Sequence, residues 1–164
     1  MKIPTLAVQA PYVSPLGTMV LATTNTALVG AWFSDESHCP DLSACKTSPD
    51  HPLLRQAARQ LDAYFAGQLK EFDLPLDLGS GTTFQNDVWQ ALCGISYGLT
   101  CSYGFISRQV GRPKAVRAVG AAIGRNPLSI IVPCHRVVGA NGQLTGYAGG
   151  LPRKTALLQL ESAL

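Results

Sequence analysis

The chain has 164 residues, 46% of them hydrophobic and 14% charged, which are proportions of a globular protein and exclude a disordered one. No apolar run approaches the roughly 18 residues that a membrane-spanning helix needs. The net charge of +3 hides an asymmetry: residues 1–80 hold five Lys/Arg against eight Asp/Glu, whereas residues 81–164 hold eight against two. From Arg108 to Arg136 there are six basic residues and no acid, a split that points to a polyanionic partner for the second half or to a solvated basic face.

The start, Met1-Lys2-Ile3-Pro4, lacks the apolar stretch of a signal peptide, so the chain reads as unprocessed and cytoplasmic. Thr18–Thr24 and Thr26–Phe33 are rich in Val, Leu, Thr and aromatics and predict two strands with a turn at Thr24-Asn25. Residues 34–50 are rich in Ser, Asp, Pro and Cys and predict a long loop. His38, Cys39, Cys45 and His51 fall in or beside it, but their spacing fits no standard zinc site, and we assign no metal. The five cysteines, an odd number with no secretion signal, read as free thiols.

Leu53, Ala57, Leu61 and Phe65 repeat every four residues and predict a helix closed by Gly67. Residues 73–83 carry Pro75, Gly79 and Gly81 with little periodicity and predict a linker, dividing the chain into domains 1–75 and 76–164. Beyond it, Phe84, Val88 and Leu92 share a helical face. Ser102 suits the N-cap of a helix through about Val110, Gly111-Arg112 a short break, and Pro113 the first residue of a second helix reaching about Gly124. Two helices joined this way form a helix-turn-helix pattern. On the second, Val116, Val119 and Ile123 should face the core. Lys114, Arg117, Ala118, Ala121 and Arg125 share another side, where small residues allow close approach to a groove and basic ones meet phosphates.

Ile130-Ile131-Val132 predicts a short buried strand, followed by Pro133, then Cys134-His135-Arg136, then a turn at Gly139–Gly142. A thiol beside His and Arg is placed for activation, since basic neighbours lower a cysteine pKa. A bare Cys-His pair is also compatible with a buried structural cysteine.

The longer string NPLSIIVPCHRVVGANGQLTGYAGGLPRKTALLQLE, Asn126 to Glu161, resembles the O6-alkylguanine-DNA alkyltransferase family, with the PCHRV core intact at Pro133–Val137. GTTFQNDVWQAL from Gly81, SYG at Ser102–Gly104 and PKAVRAVGAAIGRNP from Pro113 extend the likeness over about residues 81–161. Before that it is weak, as at Ser14-Pro15-Leu16-Gly17, and Ser96 stands where the family often has proline.

The resemblance implies an α+β protein, with a small N-terminal antiparallel sheet and helices, and a mostly helical C-terminal part carrying the helix-turn-helix and an acceptor-cysteine loop. It implies that Cys134 takes the alkyl group, that His135 deprotonates it through a water, and that Glu161 orients the His. It further implies that Asn126 fixes the turn, Arg117 enters the base stack, Tyr103 helps rotate the nucleotide and hydrogen-bonds the guanine, and Lys154 lies near the thiol. Tyr147, Ala148 and Ile123 would form the pocket, and Arg136 would join Lys114, Ala118, Ala121 and Arg125 in binding DNA. The implied activity is direct-reversal repair: one irreversible transfer from O6-alkylguanine in double-stranded DNA, by a monomer with no cofactor. A lesion-binding relative without repair activity is the alternative, and the acceptor cysteine speaks against it. A cysteine hydrolase would leave the basic helices unexplained, and a plain DNA-binding regulator would leave the cysteine motif unexplained.

Overall fold

The computed structural model describes residues 3–164; the Met1-Lys2 part of the N-terminal reading lies outside them. Strands β1 (Val8–Ser14), β2 (Gly17–Thr23) and β3 (Leu28–Phe33) form an antiparallel meander. Ser14 pairs with Gly17, so Pro15-Leu16 is a two-residue hairpin loop. A short β4 (Lys46–Thr47) adds to β1 in parallel, giving the order β3-β2-β1-β4. The loop expected over 34–50 thus contains one brief strand, and the sheet is antiparallel except at that edge.

One helix, α1 (Pro52–Phe65), covers the sheet. Its start is set by Pro52 in the first turn and by His51, whose Nδ1 accepts from the Leu53 amide. The buried stripe is Leu54, Ala57, Leu61 and Tyr64, not the predicted Leu53 and Phe65, which lie at its half-buried margins. The i, i+3, i+7, i+10 spacing follows the helix period more closely than a strict repeat of four.

The segment expected as a linker does not hang free. The Leu28 amide donates to Pro75 O (2.8 Å) and the Asp77 amide to Leu28 O (2.9 Å), so it runs beside β3. Beyond it come α2 (Thr83–Cys93), β5 (Cys101–Ser102), α3 (Tyr103–Gln109), α4 (Val116–Ile123), a single 3-10 turn (Cys134–Arg136), β6 (Val137–Val138) and α5 (Leu151–Leu160). Thr82 and Gln85 form a reciprocal capping box that starts α2, and Ser102 caps α3 as expected. Parallel pairing of β5 with β6 brings α3 beside the 134–138 segment.

Two expectations for the helix pair are corrected. Helix α4 starts at Val116; Pro113 lies in a turn in which the Ala115 amide donates to Arg112 O (2.9 Å). Proline's fixed φ suits a turn as well as a first helical position. Gly111, at φ +68°, makes the reversal before it. Val116, the first residue of α4, is 40% exposed, and the core face is Val119, Ala122 and Ile123.

One apolar cluster runs through both halves, joining Leu21, Phe33, Leu61 and Tyr64 to Trp89, Ile106, Val119, Val132 and Leu157. Trp89 also donates from Nε1 to Ala122 O (2.9 Å), fastening α2 to α4. Among the described residues, no helix is long and apolar enough to cross a membrane.

Candidate active site

Residues 126–138 wrap Cys134 in backbone and are almost wholly buried. The expected strand at Ile130–Val132 is instead a tight turn: the Val132 amide donates to Leu128 O (2.8 Å), and Ile130 adopts φ +75°. A β-branched residue there is a strained outlier, held only because its surroundings over-determine it. Much of that constraint comes from Asn126. Its Oδ1 accepts from the Leu128 amide (3.0 Å), and its Nδ2 donates to Val132 O (2.8 Å) and to Cys134 Sγ (3.1 Å). The asparagine therefore folds the turn and touches the sulfur at the same time.

His135 and Glu161 are buried, with His135 Nε2 2.9 Å from Glu161 Oε1. Glu161 is also held by Arg136 Nε (2.8 Å) and Nη2 (2.9 Å), by the Tyr64 hydroxyl (2.7 Å) and by the Gly98 amide (3.3 Å). Burial alone would raise its pKa, but the bonds from His135 and Arg136 hold it well below the usual carboxylate range. An ionised Glu161 accepts a hydrogen bond from Nε2–H, which leaves Nδ1 as the basic nitrogen of the neutral ring. Nδ1 is buried and has no protein partner.

Arg136 is thereby removed from the DNA-binding set. It is buried, wraps Glu161 in two hydrogen bonds and donates from Nη1 to Ile95 O (2.5 Å). Nor does the thiol gain from its basic neighbours as the dipeptide suggested. Burial pushes Cys134 up to about 11, against the Asn126 hydrogen bond and the Lys154 charge, which lower it. Burial likewise pushes His135 below its ordinary 6.5, despite Glu161. Near pH 7 the pair is a neutral thiol beside a neutral imidazole, so a thiolate has to be made at the moment of attack.

A cavity of about 390 Å³ opens against Cys134, with Tyr103, Ile123, Thr145, Tyr147 and Ala148 among its walls. Helix α4 supplies Gly120, Ile123 and Gly124 to this cavity. Lys114, Arg117, Ala118, Ala121 and Arg125, on or beside the same helix, are all exposed. Buried Lys154 donates to Val137 O (2.5 Å), Thr145 O (2.8 Å) and Gly146 O (3.2 Å), stapling the pocket loop to β6. Burial lowers its pKa to about 8, while Cys134 acts to raise it. The Tyr103 hydroxyl donates to Thr145 O (2.8 Å) and so braces the same loop.

The profile described as "6-O-methylguanine DNA methyltransferase, DNA binding domain" matches residues 83–163, and "6-O-methylguanine DNA methyltransferase, ribonuclease-like domain" matches residues 8–78. The chain belongs to the 6-O-methylguanine-DNA methyltransferase family. A methylated-DNA–protein-cysteine methyltransferase of Mycobacterium leprae is 53% identical over 148 residues, covering 90% of this chain and 88% of that protein. One from Methanosarcina acetivorans is 48% identical over 157 residues, covering 94% and 97%. In structure, the chain is similar to Mycobacterium tuberculosis OGT in complex with DNA, with TM-score 0.88, 48% identity and coverage of 94% and 92%.

Beside the family motif, the structure brings in one residue that the sequence did not point to, Tyr64, and gives Arg136 and His38 other places than expected. Tyr64 reaches Glu161 from α1, and Arg136 clamps the same carboxylate. His38 borders the cavity from the loop after β3. The residues weighed as zinc ligands separate: His38 is exposed, Cys39 and Cys45 pack beside the cluster around Trp32, and His51 caps α1. Among the described residues, no group of three or more His, Cys, Asp or Glu could hold a metal ion.

The pH dependence of the reaction should reveal the depressed histidine. The alkylation rate falls in acid as His135 protonates, and the midpoint of that limb lies below 6.5 because the folded pKa is lowered. Single-turnover rates across the acid range check this; a midpoint at or above 6.5 contradicts it.

Proposed function

We propose that this methyltransferase performs direct-reversal DNA repair, transferring the alkyl group of O6-alkylguanine in double-stranded DNA to Cys134 once and irreversibly. The observation that carries the reading is the sequence of contacts Asn126–Cys134, then His135–Glu161, buried at the base of a cavity whose neighbouring helix presents small and basic residues outward. The Cys134 proton passes to His135 Nδ1 through a water, the sulfur bonds to the alkyl carbon, and the carbon–O6 bond breaks. The electron pair of that bond stays with guanine, which takes up a proton. Glu161 stabilises the imidazolium as it forms. The product thioether has no easy leaving group, so each chain acts once.

An alkyl group on O6 lies at the pairing edge inside the duplex, so the nucleotide must leave the stack to reach a buried thiol. Arg117 fills the gap, while Lys114 and Arg125 meet phosphates beside the small residues Ala118 and Ala121. The flipped base lies between Tyr103, Ile123, Tyr147 and Ala148, and Lys154 keeps the pocket loop closed on it. The protein acts as a monomer, with residues 1–75 and 76–164 as its two parts. The cysteines are free, which supports the cytoplasmic setting expected from the sequence. The acceptor cysteine disfavours a lesion-binding protein without repair activity.

Arg117 separates flipping from simple charge. A phosphate contact tolerates lysine, whereas a planar guanidinium that stacks in the gap does not. Arg117→Lys and Arg117→Ala should both react with duplex O6-methylguanine at least about tenfold more slowly, yet react near normally with free O6-benzylguanine. Full duplex activity of Arg117→Lys would reduce Arg117 to a phosphate contact.

A further inference from the structure

The acceptor turn is built partly on the N-terminal sheet. The Ala31 amide donates to Pro127 O (2.9 Å) and the Ser129 amide to Ala31 O (2.8 Å), so β3 pairs with the segment that Asn126 folds. The third link is a side chain, Glu36, from the loop after β3. It is buried, and its Oε2 accepts from the Phe33 amide (3.2 Å) and from Ser129 Oγ (3.1 Å). Its other oxygen, Oε1, is buried with no protein partner. The repair chemistry described above makes no use of this carboxyl group.

We propose that Glu36 is a positioning residue for the acceptor thiol: its grip on Ser129 fixes the turn that presents Cys134, and its charge, when present, opposes ionisation of that thiol. Ser129 bridges to Val132, and Asn126 holds both Val132 O and the sulfur, so the clamp is only a few bonds from the reacting atom. The charged and titratable groups acting on Glu36 are Arg153 from α5, its neighbour Asp35, and Cys39, Cys134 and Tyr147. Arg153 is itself paired with Asp35 at 2.8 Å, which limits the compensation it offers Glu36. Burial pushes Glu36 up to about 7, against its hydrogen bonds to Phe33 and Ser129 and the Arg153 charge. Below that pH the carboxyl group is neutral and serves as a clamp alone; above it, a negative charge accumulates within Coulombic reach of the thiol that must ionise.

The proposal rests on Cys134 being the alkyl acceptor, and the test separates the two. Methyl uptake at Cys134 is followed under single-turnover conditions with excess O6-methylguanine duplex, for wild type, Glu36→Ala and Glu36→Gln, on both sides of pH 7. Duplex affinity and thermal unfolding are measured alongside. Glu36→Ala is expected to react about tenfold more slowly with duplex affinity retained. Glu36→Gln keeps an oxygen to accept the same two hydrogen bonds and recovers most of that loss. Its rate relative to wild type then climbs as the pH rises through 7, reaching about threefold where wild-type Glu36 is ionised. If Glu36→Ala does not fold, the Gln profile decides alone. A Gln profile parallel to wild type, a Gln variant as slow as Ala, or an Ala variant at the wild-type rate overturns the inference while leaving the repair reading intact. A wild-type chain that takes up no methyl group at Cys134 overturns both.

Discussion

Cys134→Ser is expected to take up no alkyl group from O6-methylguanine duplex, yet still to bind it. The loss is at least about a thousandfold, on the scale seen when a covalent nucleophile is removed. A serine keeps the Asn126 contact but has a far higher pKa than a thiol that burial has already pushed up to about 11. A neutral imidazole cannot make the alkoxide in useful amounts. Gel shifts with methylated duplex, beside intact-mass analysis, check both halves. Persistent alkyl uptake by the serine variant would move the acceptor to Cys39, Cys45, Cys93 or Cys101.

Glu161→Gln is expected to lose both speed and stability. The resemblance ties Glu161 to His135 alone. The structure changes that expectation. Glu161 carries the buried Arg136 guanidinium, His135 and Tyr64, so a neutral amide leaves a buried cation without its counter-charge. Breaking a buried ion pair on one side costs about 3–5 kcal/mol, a large share of the roughly 5–15 kcal/mol that stabilises a domain. Since the folded pKa of Glu161 is depressed, its contribution is full above its ordinary 4.5 and fades as the pH falls toward the folded value. Thermal melts at neutral pH should therefore separate wild type from Glu161→Gln by several degrees, and the gap should close in acid. Alkylation of the folded variant should be slower by about a hundredfold, because His135 loses both its tautomer control and the charge that stabilises its protonated form. Equal melts and equal rates would remove Glu161 from the site.

What could be read in advance depended on whether the signal was local. The cap at Ser102, the strands β2 and β3 and the PCHRV string act through neighbours in sequence, and each points to its structure directly. Arg136 was misread because its type said charge but not direction; its side chain turns inward to a carboxylate that the C-terminal end of α5 delivers. Val116 has the right period, but it is the first residue of α4 and the core begins at Val119. Ile130 looked like a strand residue by type, and the hydrogen bonds of Asn126 overrode that preference. Tyr64 and Glu36 carry no motif at all. They reach the site only because α1 and β3 pack against the acceptor segment, and their contacts span 97 and 93 positions of sequence.

The proposed mechanism makes a buried, un-ionised Cys134 the permanent carrier of the alkyl group. Its most direct test is peptide mapping by mass spectrometry after the wild-type chain is mixed with excess O6-methylguanine duplex. One methyl group per chain is expected, all of it on the peptide carrying Cys134, with no further uptake when fresh substrate is added. Methyl groups on another cysteine, or continued turnover by a chain whose Cys134 stays free, would contradict it.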